Sequence, residues 1–477
     1  MTRPMRVVLA SLLLVGAPRM GPAQQPAGSI LPLDSLLARV ATNHPVARQA
    51  RLLVDQADGV VRGALGAMFD PTLSASWERK GFGGTEYFNY YEAALKVPTP
   101  LGIDVKLGLE KTRGQYIAPD RRTPGQGLVS LGLSMPLGQG IITDRRRTDL
   151  AAARAKRVAA AGARSELLNA LLAEATAAWA DWDRAERVLS VAREGQALVA
   201  FRATGIRRRV EAGELAAIDT IEVRLEVVRR EATLALAEAD AVAARERLGT
   251  YLWDDRGVPV ALDSALRPAE TPTVALPSAE WLARELTRAL EEHPKVQKAR
   301  GDADAAAALQ RQAAVELFPD LEGEVARLAD RAEVGGLSDF PATSGNYKFG
   351  VSASSGLLLL KERGKAGEAA AKGRIARLVL ADVQRDVAAA VRTAAAAMDG
   401  AGRATTWQRD AVALSRRLLD AELSRFEAGE SSLFLVNQRE RALLDETIKL
   451  AEAEAKRVMA TAKLATALGY PARLPEP

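Results

Sequence analysis

The chain has 477 residues and a net charge of +5, from 65 Lys and Arg against 60 Asp and Glu. Apolar residues make up 48% of it but aromatic residues only 5%, so burial through close helix contacts of Ala and Leu is expected rather than a bulky globular core. Charges of both signs alternate along the chain, which argues against a nucleic-acid-binding protein. The absence of Cys excludes disulfides, thiolate metal sites, thiol nucleophiles and an amino-terminal lipid anchor.

The amino terminus has the pattern of a secretory signal over residues 1–24. Arg3 and Arg6 precede the apolar run 7–16, and small residues at 21–23 provide a cleavage site. The apolar run has about half of the roughly 20 residues that a membrane-spanning helix needs. We therefore predict export of the protein and no transmembrane helix.

The sequence also repeats itself. Its two His residues, His44 and His293, both precede Pro and lie 249 positions apart, and Phe69 and Phe318 open similar segments at the same offset. Further along, matching Glu-Ala-Gly-Glu elements are only 216 positions apart. This predicts a duplication, with 33 extra residues in the first copy between Phe69 and residue 144.

Each copy should contain a capped helix, the His-Pro step, a second helix, strands and a pair of long helices. We expect the caps at Asp34 or Ser35 in the first copy and at Ser278 in the second. The predicted division is a signal peptide at 1–24, a first repeat at 25–252 with strands near 72–138 and long helices near 145–249, a linker at 253–277, a second repeat at 278–470 with strands near 321–358 and long helices near 361–468, and a tail at 471–477.

Six runs alternate between apolar and polar residues, the signature of strands. Four lie in the first copy, around residues 72–78, 91–97, 101–109 and 129–137, and two in the second, around 321–328 and 347–353. A membrane barrel needs such strands, because lipid leaves no backbone hydrogen bond unmade, but a soluble antiparallel sheet alternates identically. The aromatic residues near 77–116 favour the barrel. Since six strands cannot enclose a wide pore, several chains would be needed.

The long helices show coiled-coil spacing. Apolar residues recur at steps of three and four in both copies: Leu168, Leu172, Ala175, Trp179 and Trp182, then Val387, Val391, Ala394 and Met398. A helix of about 60 residues is roughly 90 Å long, so these helices must project away from the strands. Most charges on them are expected to be solvated.

Together these motifs resemble the outer membrane efflux protein (TolC) family over essentially the whole mature chain. The resemblance rests on the His-Pro steps, the Phe-Asp-Pro-Thr-Leu entry to the strands at 69–73, the exit at 134–138, and the two helical tips at 209–215 and 425–431. It implies a mainly α protein with membrane β structure, in which a two-repeat chain forms a trimeric β-barrel continued by a long α-helical coiled-coil barrel.

The resemblance also implies a function. Such a protein is a non-enzymatic homotrimer in the cell outer membrane, with its helical part in the periplasm. It is the channel of a tripartite efflux or type I secretion system that exports small molecules, metals or polypeptides. Its partners are outer-membrane lipid, a periplasmic adaptor (membrane fusion) protein, and an inner-membrane pump or ABC exporter. No cofactor is implied.

The family resemblance assigns adaptor contact to the tips and a pore gate to acidic residues beyond them. The tip residues are Gly213, Glu214, Leu215, Gly429, Glu430 and Ser431. The gate candidates in the first copy are Asp219 and Glu222, whereas the second copy has Leu435 and Gln438 at those places. The alternatives are glycines that only permit a tight turn and acids that are only solvated.

Family members often have two strands in each copy, four in each chain and twelve in each trimer, so four strand-like runs in this first copy are a departure. Either the barrel is larger or, as we favour, strands lengthen and a hairpin such as 96–109 extends outside the membrane. Two competing functions are also considered. An enzyme is disfavoured because no metal, nucleophile or nucleotide motif is present, and an exported periplasmic coiled-coil scaffold without a pore remains the alternative.

Overall fold

The computed structural model describes residues 30–270, 275–335 and 345–475. The predicted signal at 1–24 lies outside the described residues, as do 271–274 of the predicted linker, 336–344 of the second strand region and the last two residues of the tail. Among the described helices, none is long and apolar enough to cross a membrane.

The helices of the two halves follow the same order. The first half contains α1 (Leu33–Asn43), α2 (Pro45–Phe69), the short α3 (Gln139–Ile142), α4 (Arg145–Glu211) and α5 (Ala217–Gly249). The second half contains α6 (Ala279–Glu292), α7 (Pro294–Val315), α8 (Leu360–Glu427) and α9 (Leu433–Ala467). With 67 residues in α4 and 68 in α8, each long helix extends for about 100 Å.

All six predicted strands are present and form one antiparallel sheet. They are β2 (Thr72–Phe82), β3 (Thr85–Pro98), β4 (Asp104–Arg113), β5 (Leu128–Pro136), β7 (Asp320–Asp330) and β8 (Tyr347–Ser354), paired in that order. A separate parallel pair, β1 (Ile30–Leu31) and β6 (Arg267–Pro268), joins the start of the first half to the segment between the halves.

The inserted hairpin belongs to the sheet itself. Lys96 of β3 and Leu109 of β4, the ends of the segment expected to extend outward, both occupy paired positions, Lys96 opposite Lys106 and Leu109 opposite Ala93. Both strands are also paired on their outer sides, β3 with β2 and β4 with β5. The extra residues therefore add two strands to the sheet rather than lengthening two existing ones.

The coiled-coil spacing correctly identified the helix core. In α4, Leu172, Ala175, Trp179 and Trp182 are at most 5% exposed, and Leu168 packs against the same cluster. The equivalent residues of α8, from Val387 to Met398, are at most 4% exposed. Neither α4 nor α8 contains Pro, so no residue interrupts their backbone hydrogen bonds.

Each His-Pro step joins two helices. His44 and His293 end one helix and cap the next: the Nδ1 of His44 accepts a hydrogen bond from the Val46 amide at 3.2 Å, and that of His293 from the Lys295 amide at 3.1 Å. The following Pro takes the first helical position, where no amide hydrogen is needed. The sequence indicated helix ends here, and the structure adds that the imidazoles are the caps.

One of the two predicted caps was wrong. Ser278 does cap α6, since its hydroxyl accepts from the Trp281 amide at 3.2 Å. In the first half, however, α1 begins after Pro32, so neither Asp34 nor Ser35 is the cap; the Ser35 hydroxyl instead donates to the Pro32 carbonyl at 2.8 Å. Both residues lie inside the first turn because Pro32 already has the extended conformation of a cap position.

Candidate functional site

The two helical tips meet at one end of the molecule. Val199 and Ile206 of α4, Val223 of α5 and Leu433 of α9 form a buried apolar cluster just before the tips, and Phe426 of α8 packs against it. This cluster brings the α4–α5 turn and the α8–α9 turn together, although about 216 residues separate them in sequence.

Both turns have the same backbone geometry. Gly213 and Gly429 have φ angles of 78° and 77°, and the next residue donates its amide hydrogen back across the turn at 2.9 Å, from Glu214 to Arg209 and from Glu430 to Arg425. This is the Schellman arrangement, which favours glycine because a side chain is strained at positive φ. A Cβ at either glycine would meet no atom within 4 Å, so conformation and not space requires glycine.

The six predicted tip residues divide into two groups. Gly213, Glu214, Gly429 and Glu430 are exposed at the end of the molecule. Leu215, by contrast, packs against the apolar cluster, and the Ser431 hydroxyl donates to Glu422. The first group presents a surface to solvent, and the second holds the turns in place.

The gate candidates lie on the first turns of α5. Asp219 accepts a hydrogen bond from the Ala216 amide at 3.1 Å, so it caps the start of the helix. Glu222 is half-buried, and its Oε1 has no hydrogen-bond partner among the described residues. The structure thus gives Asp219 a role within the chain, and the gate function of both residues stays a prediction.

Buried charges near the tips were missed by sequence reasoning. Glu226 of α5 is 2% exposed, and its carboxylate lies 2.9 Å from Arg230 and 3.2 Å from Arg441 of α9. Arg202 of α4 donates hydrogen bonds from both terminal guanidinium nitrogens to the carboxylate of Glu440 of α9. These pairs fasten α9 to α4 and α5 in a region where removing one partner would leave a buried charge.

No sequence signal distinguished these residues. Glu and Arg at a spacing of four occur all along the helices, and most such pairs are solvated. Only the neighbouring helix decides which of them is covered. Within the described ranges, no group of three His, Asp or Glu side chains is arranged to hold a metal ion.

Comparison with known proteins identifies the architecture. Residues 286–470, most of the second half, match the outer membrane efflux protein family. The chain has no match among curated proteins.

Solved channels share the fold of nearly the whole chain. The outer-membrane channel OprN superposes with a TM-score of 0.65 at 18% identity, over 92% of this chain and 89% of that one. The open state of the MtrE outer membrane channel of Neisseria gonorrhoeae gives 0.65 at 16%, over 92% and 89%. VceC, an outer membrane protein of Vibrio cholerae, gives 0.63 at 17%, over 92% and 96%. The chain therefore has the fold of these solved outer-membrane channels.

Proposed function

We propose that this chain is an efflux protein and that three copies of it form one channel, which serves as the outer-membrane component of a tripartite efflux or type I secretion system. Small molecules, metals or polypeptides would pass through it, selected by an inner-membrane pump or ABC exporter and its adaptor. The observation that carries the proposal is a pair of unpartnered apolar seams on opposite flanks of the helical part.

The flanks are α5 and α8. α4 packs on both α5 and α9, and α9 packs in turn on α8, whereas α5 and α8 are not in extensive contact with each other. The α5 seam consists of Ile218, Ile221, Leu225 and Val228, and the α8 seam of Trp407, Leu414 and Leu418. All seven side chains are at least 50% exposed, and their spacing follows the three-and-four rhythm of a coiled coil.

The two seams match in height at two levels, Leu225 with Leu418 and Val228 with Leu414. Leu225 lies 12 residues after the tip glycine Gly213, and Leu418 lies 11 residues before the tip glycine Gly429. Val228 and Leu414 each lie 15 residues from the glycine of their own turn. Because α5 leaves the tips and α8 approaches them, equal counts mean equal distance from the tip end. The α5 seam of one copy therefore fits the α8 seam of the next.

Two different surfaces that complement each other generate a ring when the rotation closes. Three copies would place six tips around one end of the tunnel, with Glu214 and Glu430 directed outward to an adaptor. Asp219 and Glu222, on the first turns of α5, would be repeated three times near the same opening, where an acidic ring favours cations.

Assembly is tested with paired cysteines, because the natural chain contains none. Leu225→Cys combined with Leu418→Cys should give disulfide-linked trimers on a denaturing gel. Leu236→Cys with Leu418→Cys is the matched control, since Leu236 is also exposed but lies about 18 Å further from the tips. Absence of links between chains in the first pair would refute this interface.

Adaptor contact is tested with a photo-cross-linking residue at Glu214 or Glu430 and a co-expressed adaptor. Capture should occur from both tips and not from Tyr116, which is exposed near the strands. Capture from Tyr116 alone would overturn the docking proposal.

The gate is tested with the double variant Asp219→Ala and Glu222→Ala, which should lower the cation preference of single-channel currents. An unchanged cation preference would show that neither residue forms the gate.

A further inference from the structure

The number of strands in the sheet of each copy sets the width of the barrel that the copies form together. We propose that each copy contributes six strands to a closed barrel of eighteen, in which β8 of one copy pairs with β2 of the next. This rests on the proposed threefold assembly and goes beyond it, since the family resemblance alone implies twelve strands.

The first support is the complete pairing of the inserted strands. The β3–β4 ladder runs from Asn89 opposite Arg113 to Pro98 opposite Asp104. On its flanks, Thr72 of β2 lies opposite Lys96, and Asp104 lies opposite Ser134 of β5. A hairpin folded outside the barrel would not be hydrogen-bonded to strands on both sides.

The second support is a single apolar face that crosses all six strands. Register places the apolar residues of neighbouring strands side by side, and two of these rows are Leu73, Leu95, Leu107 and Leu131, then Leu133, Val325 and Phe349. The opposite face carries small and polar residues in equivalent rows, such as Ser74, Ala94, Gly108 and Ser130. Apolar outside and polar inside is the pattern of a membrane barrel. β3 and β4 follow it from Ala93 to Val97 and from Val105 to Leu109, and depart from it near their other ends, where Lys111 lies on the apolar face and Tyr90 on the polar one.

The third support is the anchoring of the inserted turn. Asp104, at the turn between β3 and β4, accepts two hydrogen bonds from Arg146 at 2.8 and 3.0 Å and lies 2.7 Å from the Lys96 ammonium. Arg146 is in the first turn of α4. The turn is therefore held at the junction of sheet and helices, on the same rim where β5 ends.

The fourth support is the nature of the two edges. In a six-stranded antiparallel sheet the first and last strands, β2 and β8, run in opposite directions, so β8 meets β2 of another copy antiparallel. Both edges are uncovered in the described chain, and their apolar side chains Leu73, Trp77 and Phe349 are 75%, 65% and 69% exposed. Uncovered edges of this length pair with another strand, and closure abolishes them.

The extra strands change the width of the pore. With strands about 4.8 Å apart and tilted about 40°, eighteen strands close at a backbone diameter of about 36 Å and twelve at about 24 Å. The enclosed cross-section is thus about 2.3 times larger. The membrane part of this channel would admit bulkier cargo than a twelve-stranded barrel does.

The test uses cysteine pairs on the polar face in trimers isolated from membranes. For the seam, Ser74→Cys is combined in turn with Lys348→Cys, Gly350→Cys or Ser352→Cys. We expect disulfide-linked trimers from at least one combination. Within the chain, Ser76→Cys with Glu92→Cys should link β2 to β3, and Gly108→Cys with Ser130→Cys should link β4 to β5.

Other outcomes overturn the inference. A link between Ser76→Cys and Ser130→Cys would mean that β2 pairs with β5 and that the hairpin lies outside the barrel. Links between chains from β8 to Gly108→Cys would place the seam at β4. If either appears while the Leu225 and Leu418 cysteines still join three chains, the trimer stands and the eighteen-stranded barrel fails; if those cysteines also fail, the assembly itself is refuted.

Discussion

Acidification should loosen the start of α7, because its cap requires a neutral His293. The Nδ1 of this imidazole accepts the Lys295 amide at 3.1 Å, while Nε2 lies 3.3 Å from the Thr466 carbonyl and donates to it. His293 is 6% exposed. Burial is the main cause that lowers the pKa of His293 below its ordinary value, with the Thr466 carbonyl acting in the opposite direction.

Because the pKa of His293 is lowered on folding, the folded state binds this proton less readily than the unfolded state does. The folded state prefers the neutral imidazole, so its contribution to stability is complete above about pH 6.5 and is lost as the pH falls below that value. Loss of an N-cap costs about 1 kcal/mol and loss of the second hydrogen bond about 1 kcal/mol more. A total of about 2 kcal/mol corresponds to roughly a 30-fold change in the opening equilibrium.

Hydrogen exchange of the Lys295 amide measures this change. His293→Ala should exchange about 30-fold faster at neutral pH, and His293→Asn less than that, because Asn supplies a cap without the second bond. Between about pH 7.5 and 5.5 the natural chain should lose protection, after correction for intrinsic exchange, whereas the Asn variant should not. Equal losses of protection in both proteins would refute the neutral-cap explanation.

Three further changes test the tips and the helix starts through the temperature at which trimers dissociate on a gel. Gly429→Ala should lower this dissociation temperature, because Ala is strained by about 1 kcal/mol at positive φ. The control Gly400→Ala, on an open helix face, should raise the temperature slightly. Equal shifts in the two variants would contradict the turn geometry. Arg202→Ala should be more damaging, at about 3 kcal/mol, because Glu440 is then buried without its partner, and a Glu440→Gln background should recover part of the loss. Ser278→Ala should cost about 1 kcal/mol, and no effect would contradict its role as the cap of α6.

Much of the architecture was predictable, and the reason is local. Alternation over 7 to 9 residues identified all six strands, and the spacing of three and four identified the buried stripes of α4 and α8. The paired glycines predicted the tip turns, since only glycine fits positive φ without strain. Each of these signals lies within a short segment of chain.

The errors and omissions have a different origin. The cap of α1 was misplaced because Asp34 and Ser35 are good capping residues, whereas α1 already begins at Leu33, after Pro32. The inserted residues were expected to lengthen existing strands, whereas they form two strands that pair on both sides. Glu226 and Arg202 look like any other charged helical residues until α9 covers them.

The sequence by itself determined that this protein is a duplicated chain of long helices and amphipathic strands, because periodicity and turn chemistry are properties of neighbouring residues. Only the tertiary structure decided which charges are buried, which side chains cap the helices, and that the inserted residues widen the sheet. Those outcomes depend on what lies across from each residue, and contacts between α5 and α9 or between β5 and β7 join segments that are far apart in the sequence.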